Sequence, residues 1–336
     1  MTIPEILQDN QHRFSFSVEI TPPARGKSID TIFSVIEDIR EYDPKWIDVT
    51  SHCAGVEWVK SDQDETYQKR TYRKSPGTIA ICAAIEHKFN VPTVPHLLCH
   101  GFTREETEDA LIDLHYLGIK NVLAIRGDGT PKEPPIGRSR NSYALELVQQ
   151  ISKMNRGQYL YQEAEESHFC VGVACYPEKH FEAPNVAFDM EHLRKKQESG
   201  AGYCLTQMFF DNKKFFAFAK QAQKNIHIPI IPALKIFSRK EQLVSISKNF
   251  HVEIPQALVK RVEKYSSPED IQKVGIEWAH MQCQELIEHG YSHIHFYIMK
   301  QTQSLIGVLN LLDQSTQKSS WSSGDFASKT HTAGLS

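Results

Sequence analysis

Eight short runs rich in Val, Ile, Phe and Tyr recur along the chain, each followed by a segment with helical spacing. This alternation limits the possible folds more than any other feature. The runs are Phe14–Ile20, Trp46–Thr50, Thr93–Leu98, Asn121–Arg126, His168–Cys175, Tyr203–Phe209, Ile228–Leu234 and His293–Ile298, with Pro, Gly and charged clusters between them. The spacers carry helix signals. Thr103-Arg-Glu-Glu106 has the capping-box pattern ahead of Ala110, Leu111, Leu114 and Leu117, and Gly118 supplies the stop. Ser28 opens another helix with Ile29, Ile32, Phe33, Ile36 and Ile39 on one face, and Ser267-Pro268-Glu269-Asp270 starts a third.

Strict alternation of strand and helix implies parallel strands joined by crossover helices. Eight such units over roughly 300 residues fit an α/β fold of the closed (β/α)8 TIM barrel type. The expected organisation is a single barrel domain over residues 14–313. An N-terminal extension of residues 1–13 precedes it, and a Ser-rich tail of residues 314–336, with the composition of a disordered segment, follows. A doubly wound open sheet is the rival. However, Glu19-Ile-Thr-Pro-Pro23 stands after the first strand where a Gly-rich phosphate turn would be, and no G-x-G-x-x-G or P-loop occurs anywhere.

Charge and hydropathy exclude several partners. Lys plus Arg number 38 against 41 Asp plus Glu, so no basic excess exists to neutralise a nucleic-acid backbone. Mean hydropathy is −0.42, no run approaches a membrane span, and the first residues lack the pattern of a secretory signal, so a cytoplasmic protein is expected. Seven cysteines at 53, 82, 99, 170, 175, 204 and 283 show no C-x-x-C spacing. They read as reduced packing residues, not as a disulfide framework or a metal site.

In a barrel, polar residues at strand C-termini are the functional candidates. They are Glu19, Thr50, His96, Arg126-Gly127-Asp128, Tyr176-Pro-Glu178 and Gln207. Glu19 leaves an apolar strand, where desolvation would raise its pKa and make it a usable acid; pairing with a buried arginine such as Arg126 is the equally supported alternative. The Gly129–Arg140 stretch, rich in Pro and Gly, is a loop on the same face. His96 with His100, and His293 with His295, lack a third ligand partner, so no metal site is expected. Asp189, His192, Lys195 and Lys196 share helical spacing and read first as a solvated face, with an anion site as the alternative.

Six strings in fixed order carry a resemblance. They are Phe16-Ser-Val-Glu-Ile-Thr-Pro-Pro23, Pro95-His-Leu97, Ala124-Ile-Arg-Gly-Asp128, Ala174-Cys-Tyr-Pro-Glu178 with His180 and Glu182-Ala183, Thr206-Gln-Met-Phe-Phe-Asp211, and His295-Phe-Tyr297. Together they resemble the methylenetetrahydrofolate reductase family of FAD-containing barrels, from about Phe14 to about Leu312. The resemblance implies that NADH or NADPH reduces bound FAD, which then reduces 5,10-methylenetetrahydrofolate to 5-methyltetrahydrofolate. It implies that Glu19 is the acid that opens the folate ring and that Asp128 tunes the flavin and orients the pterin. Gln207 is implied to contact both substrates, and Phe237 is the candidate for a substrate-stacking aromatic.

The implied FAD contacts are Thr50, His96, Arg126, Gly127, Asp128, Tyr143, Ala144, Ala174, Tyr176, His180, Asp189, His192, Lys195 and Lys196. A homo-oligomer is implied, and no regulatory domain or adenosylmethionine inhibition is expected. The chain departs from the family at His192, at Met208, at Pro232-Ala-Leu-Lys-Ile236 and at Lys300-Gln301, positions that bear on nucleotide preference and the folate tail. Two alternatives stand beside this reading: a related flavin barrel acting on another imine or amine, and a barrel that binds folate or flavin without turnover.

Overall fold

Strand β1 (Ser15–Ile20) is buried along its whole length, on both faces. Phe16, Val18 and Ile20 pack outward against helices, while Ser15, Ser17 and Glu19 alternate with them and face the opposite way. Burial on both faces is the property of a parallel strand covered by helices on one side and a closed interior on the other. The computed structural model describes residues 1–11, 13–61, 66–128, 134 and 136–324, with side chains through 314.

Helix α1 (Ile3–Asp9) precedes β1, and α2 (Asp30–Ile39) and β2 (Ile47–Val49) follow it. An antiparallel hairpin of β3 (Gly55–Lys60) and β4 (Tyr67–Tyr72) comes next. The chain continues through α3 (Thr78–Phe89), β5 (Thr93–Leu98), α4 (Arg104–Tyr116), β6 (Asn121–Ile125), α5 (Ala144–Met154), β7 (Cys170–Cys175), α6 (Val186–Glu198), β8 (Ala201–Thr206) and α7 (Asn212–Ala222). Two short strands, β9 (Ile230–Ile231) and β10 (Ala233–Leu234), lead to α8 (Gln242–Phe250), α9 (Gln256–Glu263) and α10 (Pro268–Glu288). Strand β11 (His293–Met299) and helix α11 (Thr302–Gly324) end the described chain.

All pairings in the main sheet are parallel, in the order β10-β11-β1-β2-β5-β6-β7-β8-β9. Strands β9 and β10 are two halves of the expected seventh run, divided at Pro232, which has no N–H for a ladder. Strand β9 pairs with β8 and β10 pairs with β11, so chain continuity at Pro232 closes the ring. The eight expected runs are therefore the eight staves of a barrel.

Three features differ from the sequence expectation. The hairpin β3–β4 was not foreseen because its residues are almost wholly exposed and no burial pattern marks them. The N-terminal extension folds as α1, and Ile3 and Ile6 are buried against Trp46, Val94, Leu123, Tyr203, Leu205, Ile231 and Ala233 inside the barrel. The Ile3 N–H donates to Asn121 Oδ1, which fixes α1 at the N-terminal ends of the strands as a floor. Helix α11, anchored by Leu305, Val308, Leu309 and Leu312, continues to Gly324, with neither Pro nor Gly in its last two turns before that residue. The rest of the tail, residues 325–336, lies outside the described residues, as do 129–133 and 135 of the Pro-rich loop.

The capping signals act as the spacing predicts. Thr103 Oγ1 accepts from Glu106 N while the Glu106 carboxylate accepts from Thr103 N, and Ser267 Oγ accepts from Asp270 N. All seven cysteines are free thiols. Among the described residues, no helix is long and apolar enough to cross a membrane.

A third apolar cluster, outside the barrel under α8 to α10, holds Met208, Phe210, Phe237, Ile246 and Leu258. Helix α10 approaches this cluster so closely at Gly275 that a Cβ there would lie 1.6 Å from the Phe237 carbonyl oxygen. Gly275→Ala is therefore expected to cost about 3 kcal/mol, read as a lower urea midpoint. Gly55→Ala, where a Cβ meets only Tyr72 O at 4.0 Å, should leave stability within about 0.5 kcal/mol.

Candidate active site

The C-terminal ends of the staves surround a cavity of about 500 Å³. Glu19 and Thr21 come from the end of β1, Thr50 from β2, His96 and Leu98 from β5 and Arg126-Gly127-Asp128 from β6. Ala174 and Tyr176 come from β7, Gln207 and Met208 follow β8, and Tyr297 and Met299 belong to β11. Residues that are far apart in sequence meet here because parallel staves deliver all their C-termini to one rim.

Glu19 is only 6% exposed. Burial pushes its carboxyl up to about 8, and the Lys235 cation, just past β10, opposes that rise. Lys235 itself is lowered to about 8 by burial, with the Glu19 charge pulling the other way, and its Nζ donates to Tyr297 O at 2.6 Å. His96 Nε2 lies 3.6 Å from Glu19 Oε2. Burial holds the His96 imidazole down at about 3, so near neutral pH this contact joins a neutral acid to a neutral ring and is no ion pair. Arg126 does not pair with Glu19: its Nη1 lies 2.5 Å from Glu182 Oε2, which settles the alternative left open by sequence spacing.

The remaining rim groups are held by local bonds. Gly127 has φ +86°, the left-handed region that glycine tolerates, and it leads into an exposed Asp128 whose carbonyl accepts from Cys53 Sγ. Gln207 N donates to Cys175 O, and Gln207 Oε1 accepts from Met208 N, which commits the side-chain carbonyl and presents the amide NH2. Tyr176 packs edge-on against His180 at 4.7 Å, and His180 N donates to Asp189 Oδ2.

The other sequence candidates stand outside the cavity wall. Tyr143, 60% exposed, and Ala144 begin α5 beyond the Pro-rich loop. On α6, Lys196 is half-buried behind the wall and donates to Ala174 O, while Lys195 faces Glu191 at the surface and His192 packs on Phe188. Phe237 is 1% exposed and points into the third apolar cluster, where the close approach of Gly275 holds its backbone.

Rings that do reach the cavity went unassigned from sequence. Tyr297 donates its hydroxyl to Thr206 O, Phe181 stacks on His251 at 4.3 Å, and Phe250 ends α8. The period-two string His293-x-His295-x-Tyr297 could have placed Tyr297 on the inner face. His251, a left-handed helix cap at φ +55°, carries no comparable signal. Among the described residues no cluster of three or more His, Cys, Asp or Glu could hold a metal ion.

The chain also resembles known proteins. A family model described as methylenetetrahydrofolate reductase matches residues 3–313. Methylenetetrahydrofolate reductase 1 of Schizosaccharomyces pombe is 28% identical, over 91% of this chain and 47% of its own length. The 5,10-methylenetetrahydrofolate reductase of Pectobacterium carotovorum is 26% identical, over 91% of this chain and 92% of its own. The chain thus spans about half the length of the eukaryotic relatives it matches and nearly all of the bacterial one. A solved structure from Clostridium thermocellum, described as an uncharacterized protein that binds two copies of 5-methyl-5,6,7,8-tetrahydrofolic acid, has the same fold. It aligns with a TM-score of 0.55 at 12% identity, covering 92% of this chain and 96% of its own. With its barrel and nearly its whole length matched by the family model, the chain belongs to the methylenetetrahydrofolate reductase family.

Proposed function

We propose that this chain is a flavin-dependent methylenetetrahydrofolate reductase, using NADH or NADPH to reduce bound FAD and then 5,10-methylenetetrahydrofolate to 5-methyltetrahydrofolate. The observation that carries the reading is Glu19, a buried carboxyl raised to about 8 on the wall of the rim cavity. The five-membered ring of the substrate must open before its methylene carbon can accept hydride, and opening requires a proton on the departing nitrogen. A carboxyl that burial keeps protonated near neutral pH is suited to give it. Once the proton has left, the Lys235 cation faces the new carboxylate and limits its cost.

The residues present fit a flavin. Gly127 and Ala174 keep the wall open to a planar ring, Arg126 and His180 offer donors to a pyrophosphate, and Lys196 adds positive charge behind Ala174. When bound, FAD supplies the hydride chemistry. Asp128, exposed on the rim, can accept from the N–H groups of a pterin, and the Gln207 amide can donate to either substrate in turn. The Clostridium protein, described as binding 5-methyl-5,6,7,8-tetrahydrofolic acid, and the names of the bacterial relatives support the same substrate class.

The test is the visible spectrum of the purified protein under anaerobic conditions. Flavin bands that bleach with NADH and return with methylenetetrahydrofolate are the expected result. Bands bleached by an amine and indifferent to folate would move the chain to another flavin barrel activity. A colourless protein that takes up no FAD would leave a barrel without this chemistry.

Glu19→Gln should leave bleaching by NADH within a few-fold of the parent and slow the folate half-reaction by about 10²–10⁴-fold; stopped-flow traces of the two half-reactions separate these effects. The raised carboxyl is a working acid only while protonated, so kcat/KM for folate should fall as pH rises through about 8. Lys235 pulls that value down, so Lys235→Met should move the alkaline limb to higher pH. A limb that stays in place or moves lower would separate Lys235 from the acid.

A further inference from the structure

The barrel interior is divided. One wall is apolar, from Val94, Leu123, Leu205 and Ile231. The other, built by β11, β1 and β2, carries a row of hydrogen-bonding side chains that runs from the floor towards Glu19. Ser15 and Ser17 of β1 stand in register with His293 and His295 of β11, and Glu19 stands in register with Asp48 of β2. Ser15 Oγ lies 2.8 Å from His293 Nδ1, His293 Nε2 lies 3.0 Å from Ser17 Oγ, and Ser17 Oγ lies 2.8 Å from His295 Nδ1. His295 Nε2 then lies 3.6 Å from Asp48 Oδ1, just beyond hydrogen-bond reach, a gap that a shift of a few tenths of an ångström closes.

We propose that Ser15, His293, Ser17, His295 and Asp48 form a proton relay through the barrel that reprotonates Glu19 from the floor. The proposal rests on the reductase reading, in which Glu19 gives up one proton in every turnover. Glu19 opens onto the rim cavity, and substrate and flavin on the rim would close that side. The other end of the row is reachable: His293, 7% exposed, lines a cleft of about 380 Å³ between α1 and the segment from Gly290.

The row has the chemistry of a relay. A ring that stays neutral keeps one N–H and one lone pair, so it can take a proton on one nitrogen and release one from the other. Burial holds His293 down at about 3 and His295 well below its ordinary value, so both are neutral across the working range. A single tautomer, with Nε2–H on both rings, lets every link donate in one direction. The Ser15 hydroxyl donates to His293, His293 to Ser17 and Ser17 to His295, and the His295 Nε2–H is aimed at Asp48. Burial and the Glu19 charge raise the Asp48 carboxyl well above the carboxylate range, so it too carries a proton to pass on.

The step balances as a shift of one proton along the row. Glu19 loses its proton to the departing folate nitrogen, and Asp48 passes its own to Glu19 and takes one from His295 Nε2. His295 takes one at Nδ1 from Ser17, Ser17 takes one from His293 Nε2, His293 takes one at Nδ1 from Ser15, and Ser15, buried beside His293, is resupplied from solvent by way of the cleft that His293 lines. Rotation of the hydroxyls, and proton exchange that returns each ring from Nδ1–H to Nε2–H, complete the cycle before the next turnover.

Ser17→Ala tests the relay, since it removes the one hydroxyl between the two rings while adding no bulk. From pre-reduced enzyme, the first folate turnover uses the proton already on Glu19 and should stay within about twofold of the parent. Steady-state turnover should fall at least about tenfold, with a larger solvent deuterium isotope effect, and Ser17→Thr should restore it. An unchanged steady-state rate in Ser17→Ala would overturn the relay. An equal loss in the first turnover would overturn it too, by making Ser17 a packing residue of the site. A parent protein that bleaches with NADH yet never turns over folate would remove the reductase reading, and the relay with it.

Discussion

A carboxyl at the end of a strand inside a closed barrel has been taken out of water, and its charged form loses the solvation that a surface carboxylate keeps. Much of the rim is arranged around that cost at Glu19. The two nearest candidates for neutralising it behave differently. His96 is itself desolvated and stays uncharged, so it offers polarity without a cation. Lys235 keeps enough positive character to temper the rise while its Nζ is tied to the Tyr297 carbonyl. Arg126, the strongest available cation, is held away by Glu182 and remains on the outer rim. A full Arg–carboxylate pair at Glu19 would have lowered its pKa and ended its use as an acid near neutral pH.

The barrel makes this possible by separating two jobs that would conflict in one layer. Helices bury the outward faces of the staves, with Phe16, Val18 and Ile20 as the pattern, and that layer supplies most of the apolar packing. The inward faces are then released to hold polar groups on one side and a smaller apolar cluster on the other. Closure depends on the divided seventh stave. Pro232 interrupts the ladder, but its carbonyl still accepts from His295 N, so the seam is hydrogen-bonded where two strand stubs meet. Lys235 follows three residues after that proline, and the position of the seam therefore sets where the cation stands relative to Glu19.

The staves were legible because each is covered on both faces and reads as an apolar run; seven of the eight lie within about two residues of their expected ends. The rim residues of these staves were legible for the same reason, since a polar residue closing an apolar run has one place to go in a barrel. What was not legible follows from the same physics. The hairpin buries almost nothing, so hydrophobic periodicity carries no trace of it. Helix α1 is too short to announce itself, and its two buried isoleucines gain meaning only from the barrel mouth they fill. Phe237 sits one residue past a buried Ile236, and both turn into apolar clusters away from the cavity; the close contact of α10 at Gly275 holds Phe237 there. The Lys195–Lys196 pair shows the limit of spacing on a helix, because one lysine reaches under β7 and the next faces solvent.

The polar wall of the interior has no evident purpose as packing. An aliphatic ladder at Ser15, Ser17, His293 and His295 would fill the same space without desolvating four hydrogen-bonding groups, and buried polar rows cost stability unless each member is matched. Here each serine is matched to a histidine by strand register, and the match follows from two strings of period two, Ser15-x-Ser17-x-Glu19 and His293-x-His295-x-Tyr297. The three hydrogen bonds of the row all join β1 to β11, and the row gives way to carboxyl groups only at Asp48 and Glu19, one layer below the rim and at it. That ordering, hydroxyl and imidazole at the floor and acids at the top, is the one that delivers a proton to an acid and leaves the apolar wall opposite free to stay rigid.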